Sequence, residues 1–262
     1  MTMNRQAIEQ AARELREAYR LGPVEPIGDR LVENTAEVGY AVQDINTDLW
    51  IAEGRRLAGR KIGLTSQAVQ SQLGVDQPDF GMLFEDMAVP AGGRFSADRI
   101  LQPRAEGELA FGLGAPLDRP DLSEADVLTA VEWMAPAIEI VGSRVRDWKI
   151  RLVDTIADNA SSGLYVIGDD RRPADRPAID ALSMELLEDD QVVSAGPATA
   201  CLGSPVTALA WLARKMVKVG RPLGAGDIVL SGAFGPLAPM TPGHRYTLRL
   251  SGFADLWVDL VD

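Results

Sequence analysis

The sequence predicts an α+β protein in which a helical N-terminal region precedes a β-rich domain. Three observations support this fold class. Residues 5–20 carry apolar side chains at helical spacing, and short apolar runs broken by Gly, Pro and Asp begin near residue 57. No internal repeat or heptad array is evident in the chain. We therefore assign residues 1–70 to the helical region and residues 71–262 to the β-rich domain.

Two helices are predicted in the N-terminal region. The first covers residues 5–20. The second begins near Asn34, which with Glu37 resembles a capping box. The apolar face of this second helix is formed by Ala41, Ile45, Leu49 and Ala52.

Seven later segments have the short apolar runs that are typical of strands. They are RKIGLT, GELAFGL, PAIEIVGS, GLYVIG, DIVLSGAFG, YTLRL and DLWVDLV. An eighth segment, MELLEDDQVVSAG, predicts a hairpin that turns at Asp189 and Asp190. Residues 74–87 contain Pro, Gly and several acidic side chains, and we predict that they form a loop.

Two helices are predicted to interrupt these strands. One begins at Ser123 and extends to Pro136. The other has Ser204 as its N-cap, Pro205 at its first position and Gly220 just past its end.

Composition narrows the classes of function. The net charge of −12 opposes binding to nucleic acid, whose phosphates would be repelled. No apolar run reaches the roughly 18 residues of a membrane span. The N-terminal segment is charged and amphipathic and lacks the apolar stretch of a signal peptide. We therefore expect a cytoplasmic protein that binds neither membranes nor nucleic acid.

The chain has one histidine, His244, and one cysteine, Cys201. A single cysteine excludes a disulfide within the chain and predicts a small buried thiol. A zinc site of the Cys/His type cannot be built from these two residues. A Ser-His-Asp triad would have to use His244, which lies among turn residues. Chemistry in this chain would therefore rely on carboxylates, lysine and backbone groups, with Mg²⁺ or Mn²⁺ as the matching cations.

Three glutamates lie in segments that otherwise read as buried strands. Glu106 and Glu108, in QPRAEGELAFGL, are two residues apart, so a strand places both carboxylates on one face. Glu139 lies inside a second apolar run, AIEIV. Pairing of the two strands would bring the three carboxylates together. Three carboxylates, completed by water or a chelating substrate, suit Mg²⁺.

Two other interpretations of the glutamates remain open from the spacing. The alternating pair is also typical of the exposed face of an edge strand. Arg104 shares a strand face with Glu106 and is a second candidate for the positive charge that like charges need when they are buried.

Lys61 lies on one strand face with Gly59 and Gly63, which would leave room for a ligand to approach. A neighbouring cation could lower its pKa and so make it usable for proton transfer. The alternative is a solvated lysine in a basic stretch. The segment DNASS, residues 158–162, could bind a carboxylate or simply form a turn.

Taken together, several motifs resemble one known family. They are GRKIGLTS, LGVDQPDFGMLFEDM, LQPRAEGELAF, APAIEIVGSRVRDWKIRLVDTIADNASSGLYVIG, WLARKM and GDIVLSGAFGP. The chain from about residue 30 onward resembles the 2-keto-4-pentenoate hydratases, also called 2-hydroxypenta-2,4-dienoate hydratases. These are relatives of the 4-oxalocrotonate decarboxylases in the fumarylacetoacetate hydrolase superfamily.

The resemblance implies a mixed β-sandwich or roll of the fumarylacetoacetate hydrolase type after the helical region. It also implies a divalent metal, Mg²⁺ or Mn²⁺, held by three carboxylates. By motif the metal ligands are Glu106, Glu108 and Glu139. The remaining matched positions are Lys61 and Asp79 as catalytic residues, and Ser161 and the backbone around Leu83 as substrate-binding residues.

The activity that the resemblance implies is the addition of water to a small 2-hydroxy-2,4-dienoate, giving a 4-hydroxy-2-oxo acid in the meta-cleavage catabolism of aromatic compounds. A homo-oligomer, pentameric or decameric, and a downstream aldolase are also implied. The segments GSRVRDWKIRLVDT and GAFGP are more similar to the hydratases than to the decarboxylases of 2-oxo-3-hexenedioate. That decarboxylation is the alternative activity. A non-catalytic protein that stabilises an adjacent pathway enzyme is a third hypothesis.

Overall fold

The computed structural model describes residues 5–31, 33–66, 70 and 77–262. Within them the helices are α1 (Arg5–Leu21), α2 (Ala36–Ala52), α3 (Glu124–Ala130), α4 (Leu152–Ala157), α5 (Arg176–Asp180) and α6 (Pro205–Lys218). The strands are β1 (Leu57–Gly63), β2 (Asp79–Phe84), β3 (Arg94–Ser96), β4 (Arg104–Leu113), β5 (Val131–Val141), β6 (Leu164–Ile167), β7 (Ser183–Glu188), β8 (Gln191–Pro197), β9 (Ile228–Leu230), β10 (Ala238–Pro239), β11 (Arg245–Leu250) and β12 (Leu256–Val261).

The strands form two sheets with both parallel and antiparallel pairs. A seven-stranded sheet has the order β2-β1-β9-β4-β5-β6, and β10 also pairs with β4. A five-stranded sheet has the order β3-β12-β11-β7-β8. Apolar side chains of both sheets and of α6 belong to one hydrophobic core. The α+β prediction is confirmed, and the seven strand segments and the hairpin at residues 189–190 were placed correctly.

The N-terminal helices form a second, smaller core with α4. The side chain of Gln43 on α2 donates hydrogen bonds to the backbone oxygens of Phe80 and Ile156, both at 3.0 Å. Tyr40 stacks on Phe80 with ring centroids 4.4 Å apart. Helix α2 therefore supports β2 and α4, the two elements beneath the cavity described below.

Two details predicted for α2 were wrong. Its N-cap is Thr35, whose hydroxyl accepts from the Val38 amide, and not Asn34. Its buried face includes the polar residues Gln43 and Asn46, whereas the predicted apolar face is only partly buried. Apolar periodicity failed here because hydrogen-bonded polar side chains occupy the inner face of the helix.

Two predictions in the β-rich region also need correction. Residues 79–84 of the predicted loop form strand β2, in which every residue is buried. Residues 74–76 of that loop lie outside the described residues. The helix from Ser123 ends at Ala130 and not at Pro136, because β5 begins at Val131. Pro136 has no amide hydrogen to donate. It can lie within β5 because its carbonyl still accepts a hydrogen bond from the Gly168 amide.

Strand β1 lies before the predicted domain boundary at residue 70, yet it pairs with β2 and β9 of the seven-stranded sheet. The division at residues 70 and 71 remains a prediction, and the pairing of β1 supports a boundary nearer to its first residue, Leu57. In the described part of the chain, no helix has the length and apolar character needed to cross a membrane.

Candidate active site

The pairing of β4 with β5 brings the three glutamates together. Glu106 lies opposite Glu139 in the antiparallel register, and Glu108 lies one step further along the same face. One carboxylate oxygen from each of the three residues lies within 4.8 Å of the other two. Glu108 and Glu139 have no exposed surface. The exposed-edge interpretation is therefore wrong, because β4 is a central strand.

The carboxylates lack the partners that buried charges require. Glu108 Oε2 accepts from the Gly232 amide at 2.9 Å. Glu108 Oε1 and Glu139 Oε2 have no hydrogen-bond partner among the described residues. Unpaired buried oxygens at this separation match the donor set of a hard divalent cation, which takes several carboxylate oxygens. The three glutamates thus fit a divalent metal, and such an ion would remove their mutual repulsion.

Lys61 provides the one ion pair that the described residues make with this cluster. Its Nζ lies 3.2 Å from Glu139 Oε1, and the lysine is 2% exposed. Burial alone would lower the pKa of Lys61, but Glu139 and the other carboxylates raise it above its ordinary value. The lysine in this arrangement is an ammonium group. The solvated-lysine interpretation is wrong, because Lys61 is buried.

Asp79 faces the same region from β2, where it pairs with Gly63 of β1. A side chain at position 63 would approach within 2.2 Å of Asp79 Oδ1 and 3.4 Å of Lys61 Nζ. Glycine at position 63 therefore leaves room for both groups. Glycine is needed at position 59 for a different reason: a Cβ there would lie 1.8 Å from the Ile228 backbone oxygen of β9. Burial raises the pKa of Asp79 while Lys61 opposes that shift.

Arg104 does not neutralise Glu106 by direct contact. No carboxylate of the described residues lies within ion-pair distance of its guanidinium, which instead covers the Trp148 ring at 4.4 Å from the centroid. The charge that acts most strongly on Glu106 is that of Lys61, which lowers its pKa against the larger rise caused by burial.

A cavity of about 340 Å³ opens over this cluster. Candidate residues from the sequence that line it are Lys61, Asp79, Arg104, Glu106 and Ser161. Lining residues that the sequence did not single out include Thr155, Trp148, Ile150 and Leu237. No local sequence pattern marks them as cavity residues, so they could be identified only from the three-dimensional structure.

Ser161 and Leu83 have different positions relative to the cavity. The Ser161 hydroxyl lies at the cavity wall, 3.1 Å from the Thr155 hydroxyl. Leu83 is fully buried in β2, opposite Gly59, and does not line the cavity. The substrate-binding role of Leu83 stays a prediction.

The turn that presents Ser161 has a strained backbone. Asn159, Ala160 and Ser161 are successive non-glycine residues with φ of 55°, 52° and 55°. Left-handed backbone costs L-residues about 1–2 kcal/mol each. The Asn159 side chain offsets this cost with two hydrogen bonds to β2, accepting from Met82 N at 2.7 Å and donating to Met82 O at 2.9 Å. The turn is thereby fastened to the strand that carries Asp79.

A buried ion pair supports the same turn from its other side. The Asp158 carboxylate accepts from the backbone amide and the Nε of Arg144, and Arg144 Nη2 donates to the Asp158 backbone oxygen at 2.7 Å. Arg144 has no exposed surface. Of the DNASS segment, Asp158 and Asn159 are therefore structural, and Ser161 faces the cavity.

Replacing Asn159 with alanine is expected to destabilise the protein by about 2–3 kcal/mol, since two buried hydrogen bonds and a residue tolerant of left-handed backbone are lost. Asn159→Asp keeps the acceptor for Met82 N but sets a buried carboxylate against the Met82 oxygen, so it should be destabilised as well. Denaturant unfolding measures both values. An Asn159→Ala protein with the wild-type midpoint would show that this side chain does not hold the turn.

The affinity of the cluster for a divalent cation should depend on pH. Burial raises the pKa of Glu139 to about 8 from 4.5, and it raises those of Glu106 and Glu108 as well. Protons therefore compete with the cation near neutral pH. The metal-free fold binds these protons more tightly than the unfolded chain, so its stability should fall as pH rises from about 4.5 to about 8.

Over the same interval the affinity for Mn²⁺ should increase, and binding should release protons. Calorimetry in buffers of different ionisation enthalpy counts those protons. Affinity that does not change between pH 6 and pH 8, with no proton release, would contradict this prediction.

The single histidine and cysteine lie outside the cluster. His244 Nδ1 contacts Asp189 at 2.7 Å beside the β7–β8 hairpin. Cys201 is buried, and its thiol donates to the Ser231 oxygen at 2.9 Å. Neither lines the cavity. The chemistry of the site therefore does not involve the histidine or the cysteine.

Comparison with known proteins identifies the family of the chain. Residues 56–261 match the family described as fumarylacetoacetate (FAA) hydrolase C-terminal. The chain is 51% identical over 257 residues to 2-keto-4-pentenoate hydratase 2 of Dechloromonas aromatica (strain RCB), covering 98% of each protein. It is 50% identical over 252 residues to the TodF product hydratase of Pseudomonas putida, covering 95% of this chain and 94% of that protein.

Among solved structures, 4-oxalocrotonate decarboxylase from Pseudomonas putida G7, complexed with magnesium and adipate, superimposes with a TM-score of 0.93. The two chains are 27% identical, and 99% of each is covered. The fold is thus shared with a decarboxylase, whereas the much higher sequence identity is with hydratases. The chain belongs to the fumarylacetoacetate hydrolase family and, within it, to the 2-keto-4-pentenoate hydratases.

Proposed function

We propose that this protein is a metal-dependent hydro-lyase that adds water to a small 2-hydroxy-2,4-dienoate and produces a 4-hydroxy-2-oxo acid. The observation that carries the proposal is the cluster of Glu106, Glu108 and Glu139, with Lys61 at its edge, beneath a cavity of about 340 Å³. Hydratase relatives that are about 50% identical to this chain over nearly its whole length support this reaction.

The three glutamates would hold Mg²⁺ or Mn²⁺, and the cation would act as a Lewis acid that polarises the 2-oxo group and stabilises the enolate. The Ser161 and Thr155 hydroxyls, 3.1 Å apart at the cavity wall, would orient the substrate through hydrogen bonds to its carboxylate end. Because the left-handed turn fixes Ser161 before substrate arrives, this hydrogen bonding needs little rearrangement.

Lys61 and Asp79 would carry out the proton transfers. In the first step the 2-hydroxyl group loses its proton to Asp79 and the Lys61 ammonium gives a proton to C5, which converts the dienol to a conjugated 2-oxo-3-enoate. In the second step water adds its oxygen to C4 and gives a proton to the now neutral Lys61, while Asp79 returns its proton to C3. The Lys61 ammonium, held near the cluster by Glu139, is placed to stabilise negative charge at the 2-oxygen and to donate a proton.

An absorbance assay tests the proposal. The purified protein with Mg²⁺ or Mn²⁺ should remove the dienoate absorbance of five-carbon and six-carbon 2-hydroxy-2,4-dienoates, and the product should contain one added water by mass. Chelation should abolish the reaction. Full activity after complete removal of metal would rule out the metal-dependent reaction.

The second candidate reaction is decarboxylation of a 2-oxo-3-hexenedioate, which the structural likeness to 4-oxalocrotonate decarboxylase favours. Release of CO₂ from that substrate, without hydration of dienoates, would replace the hydratase proposal with this one. A protein inactive in both assays would support a non-catalytic role beside an adjacent enzyme.

We further propose that the protein is cytoplasmic, forms a homo-oligomer of five or ten chains, and passes its product to an aldolase. A 4-hydroxy-2-oxo acid is the chemical class that an aldolase cleaves, which supports that partner. Light scattering of the purified protein measures the oligomer size.

A further inference from the structure

The cavity contains a second positive charge that the proposed mechanism does not use. Of the residues that line the cavity in the described part of the chain, Lys61 and Arg104 are the cationic ones. Lys61 is paired with Glu139, whereas Arg104 has no carboxylate within 4.0 Å among the described residues, and its side chain donates no hydrogen bond to them. A guanidinium carries five N–H donors, so this group is free to bind an anion.

The position of Arg104 follows from strand register. Arg104 and Glu106 lie on the same face of β4, and their Cα atoms are about 7 Å apart at two residues of strand rise. Arg104 pairs with Val141, one step beyond the pair of Glu106 with Glu139. Arg104 is partly exposed and Glu108 is fully buried, so this face of β4 runs from the cavity mouth into the interior.

The Arg104 guanidinium packs on Trp148, which is itself fixed by hydrogen bonds. It lies 4.4 Å from the centroid of the Trp148 ring, and the Trp148 Nε1 donates to the Gln102 backbone oxygen at 3.0 Å. The Gln102 side chain in turn donates to Ser143 O and Val145 O, both at 2.8 Å. Gln102 and Trp148 are non-glycine residues with positive φ, which persists only where the surroundings enforce it.

Charge balance indicates the chemistry of the ligand. Four carboxylates, those of Glu106, Glu108, Glu139 and Asp79, face Lys61 in this region. A divalent cation would still leave the site net negative, although the proposed substrate is an anion. A free guanidinium at the mouth compensates for this, because an arginine binds a carboxylate through paired, charge-assisted hydrogen bonds.

We propose that Arg104 is a substrate-recognition residue that binds a carboxylate of the substrate. The inference rests on the proposed function and deepens it, because it names the group that Arg104 recognises. Two carboxylates have this chemistry: the C1 group of every 2-oxo acid and, in a six-carbon diacid, the C6 group. Arg104 lines the cavity one strand step from Glu106, so either carboxylate is a candidate for the group it binds.

Two unreactive acids separate these sources. 2-Oxohexanoate and 2-oxohexanedioate have the same carbon chain and differ by the C6 carboxylate. Their binding to the Mn²⁺-loaded protein is measured by calorimetry for wild type, Arg104→Gln and Arg104→Lys. The matched control is Arg171→Gln, since Arg171 covers Trp133 at 4.2 Å in the same way but does not line the cavity.

Arg104→Gln should weaken binding by about 10- to 100-fold, the cost of a charge-assisted hydrogen bond. Loss for both acids would assign Arg104 to the C1 carboxylate, and loss for the diacid alone would assign it to C6. Arg104→Lys should bind more tightly than Arg104→Gln but less tightly than wild type, because lysine keeps the positive charge and lacks the paired N–H donors of a guanidinium. The Arg171→Gln protein should bind both acids as wild type does.

A second readout excludes a merely structural effect. Arg104→Gln removes a cation near the glutamates, so its affinity for Mn²⁺ should be equal to or higher than that of wild type, whereas a damaged site would bind Mn²⁺ less well. Binding of both acids within about twofold of wild type would overturn the inference, as would failure of the wild type to bind either acid. Wild type that binds these acids but hydrates no dienoate would overturn the proposed function alone.

Discussion

Replacing Lys61 with alanine is expected to reduce kcat by about 10²- to 10⁴-fold, the usual contribution of a positioned acid or base. Lys61 is 2% exposed, and its Nζ lies 3.2 Å from Glu139 Oε1 beside the cavity. No other cationic side chain of the described residues reaches this position. Steady-state kinetics with a dienoate and saturating Mn²⁺ measures the loss.

Two variants separate chemistry from packing at this position. Lys61→Met keeps most of the buried volume and should lose as much turnover as Lys61→Ala while retaining a higher melting temperature. Lys218→Ala, at the exposed end of α6, should have wild-type activity. Both Lys61 variants should still bind Mn²⁺, because the three glutamates remain. Wild-type turnover by either variant would remove Lys61 from the mechanism.

Replacing Glu106 with glutamine is expected to weaken Mn²⁺ binding by about 100-fold or more, since loss of a residue that merely orients a ligand already costs 10- to 100-fold. Activity should fall with it and recover only in part at high metal concentration. Glu106 lies opposite Glu139 in the β4–β5 register, so the amide leaves one corner of the cluster without a charged ligand. Titration of Mn²⁺ followed by electron paramagnetic resonance measures the affinity.

The same substitution should have the opposite effect on the metal-free protein. One of three clustered like charges is removed, so metal-free Glu106→Gln should melt at a higher temperature than metal-free wild type. Added Mn²⁺ should then stabilise wild type more than the variant. Glu85→Gln, at an exposed position after β2, is the matched control and should change neither value. Unchanged Mn²⁺ affinity in Glu106→Gln would remove this residue from the ligand set.

The fold was predictable where side-chain periodicity reports burial directly. Strands β4 and β5 were recognised because apolar residues flank the glutamates, and α6 was recognised by its Ser204 N-cap and Pro205. Strand β2 was missed because its glycine and aspartate, and the acidic residues on either side of it, are typical of a loop. Its burial depends on α2 and on the turn at Asn159, which are distant in sequence.

The candidate site was likewise predictable only in part. Residue spacing placed Glu106 and Glu108 on one strand face. Glu139 was a candidate because it lies inside an apolar run, and the structure brings all three together. The ion pair of Lys61 with Glu139 needed the order β1-β9-β4-β5, which no local pattern contains. Cavity walls such as Trp148 could not be predicted, because they depend on how separate loops pack.

The unpaired carboxylates have a consequence for how much of the protein a cell retains. A chain that holds three like charges together is stabilised by the cation that binds them, by about 2.7 kcal/mol when the free ion is at a hundred times its dissociation constant. Withdrawal of the ion would therefore raise the fraction of unfolded chains that proteases degrade. Metal starvation would lower the abundance of this protein as well as its rate, and a pulse-chase measurement in metal-depleted cells would record a shorter half-life.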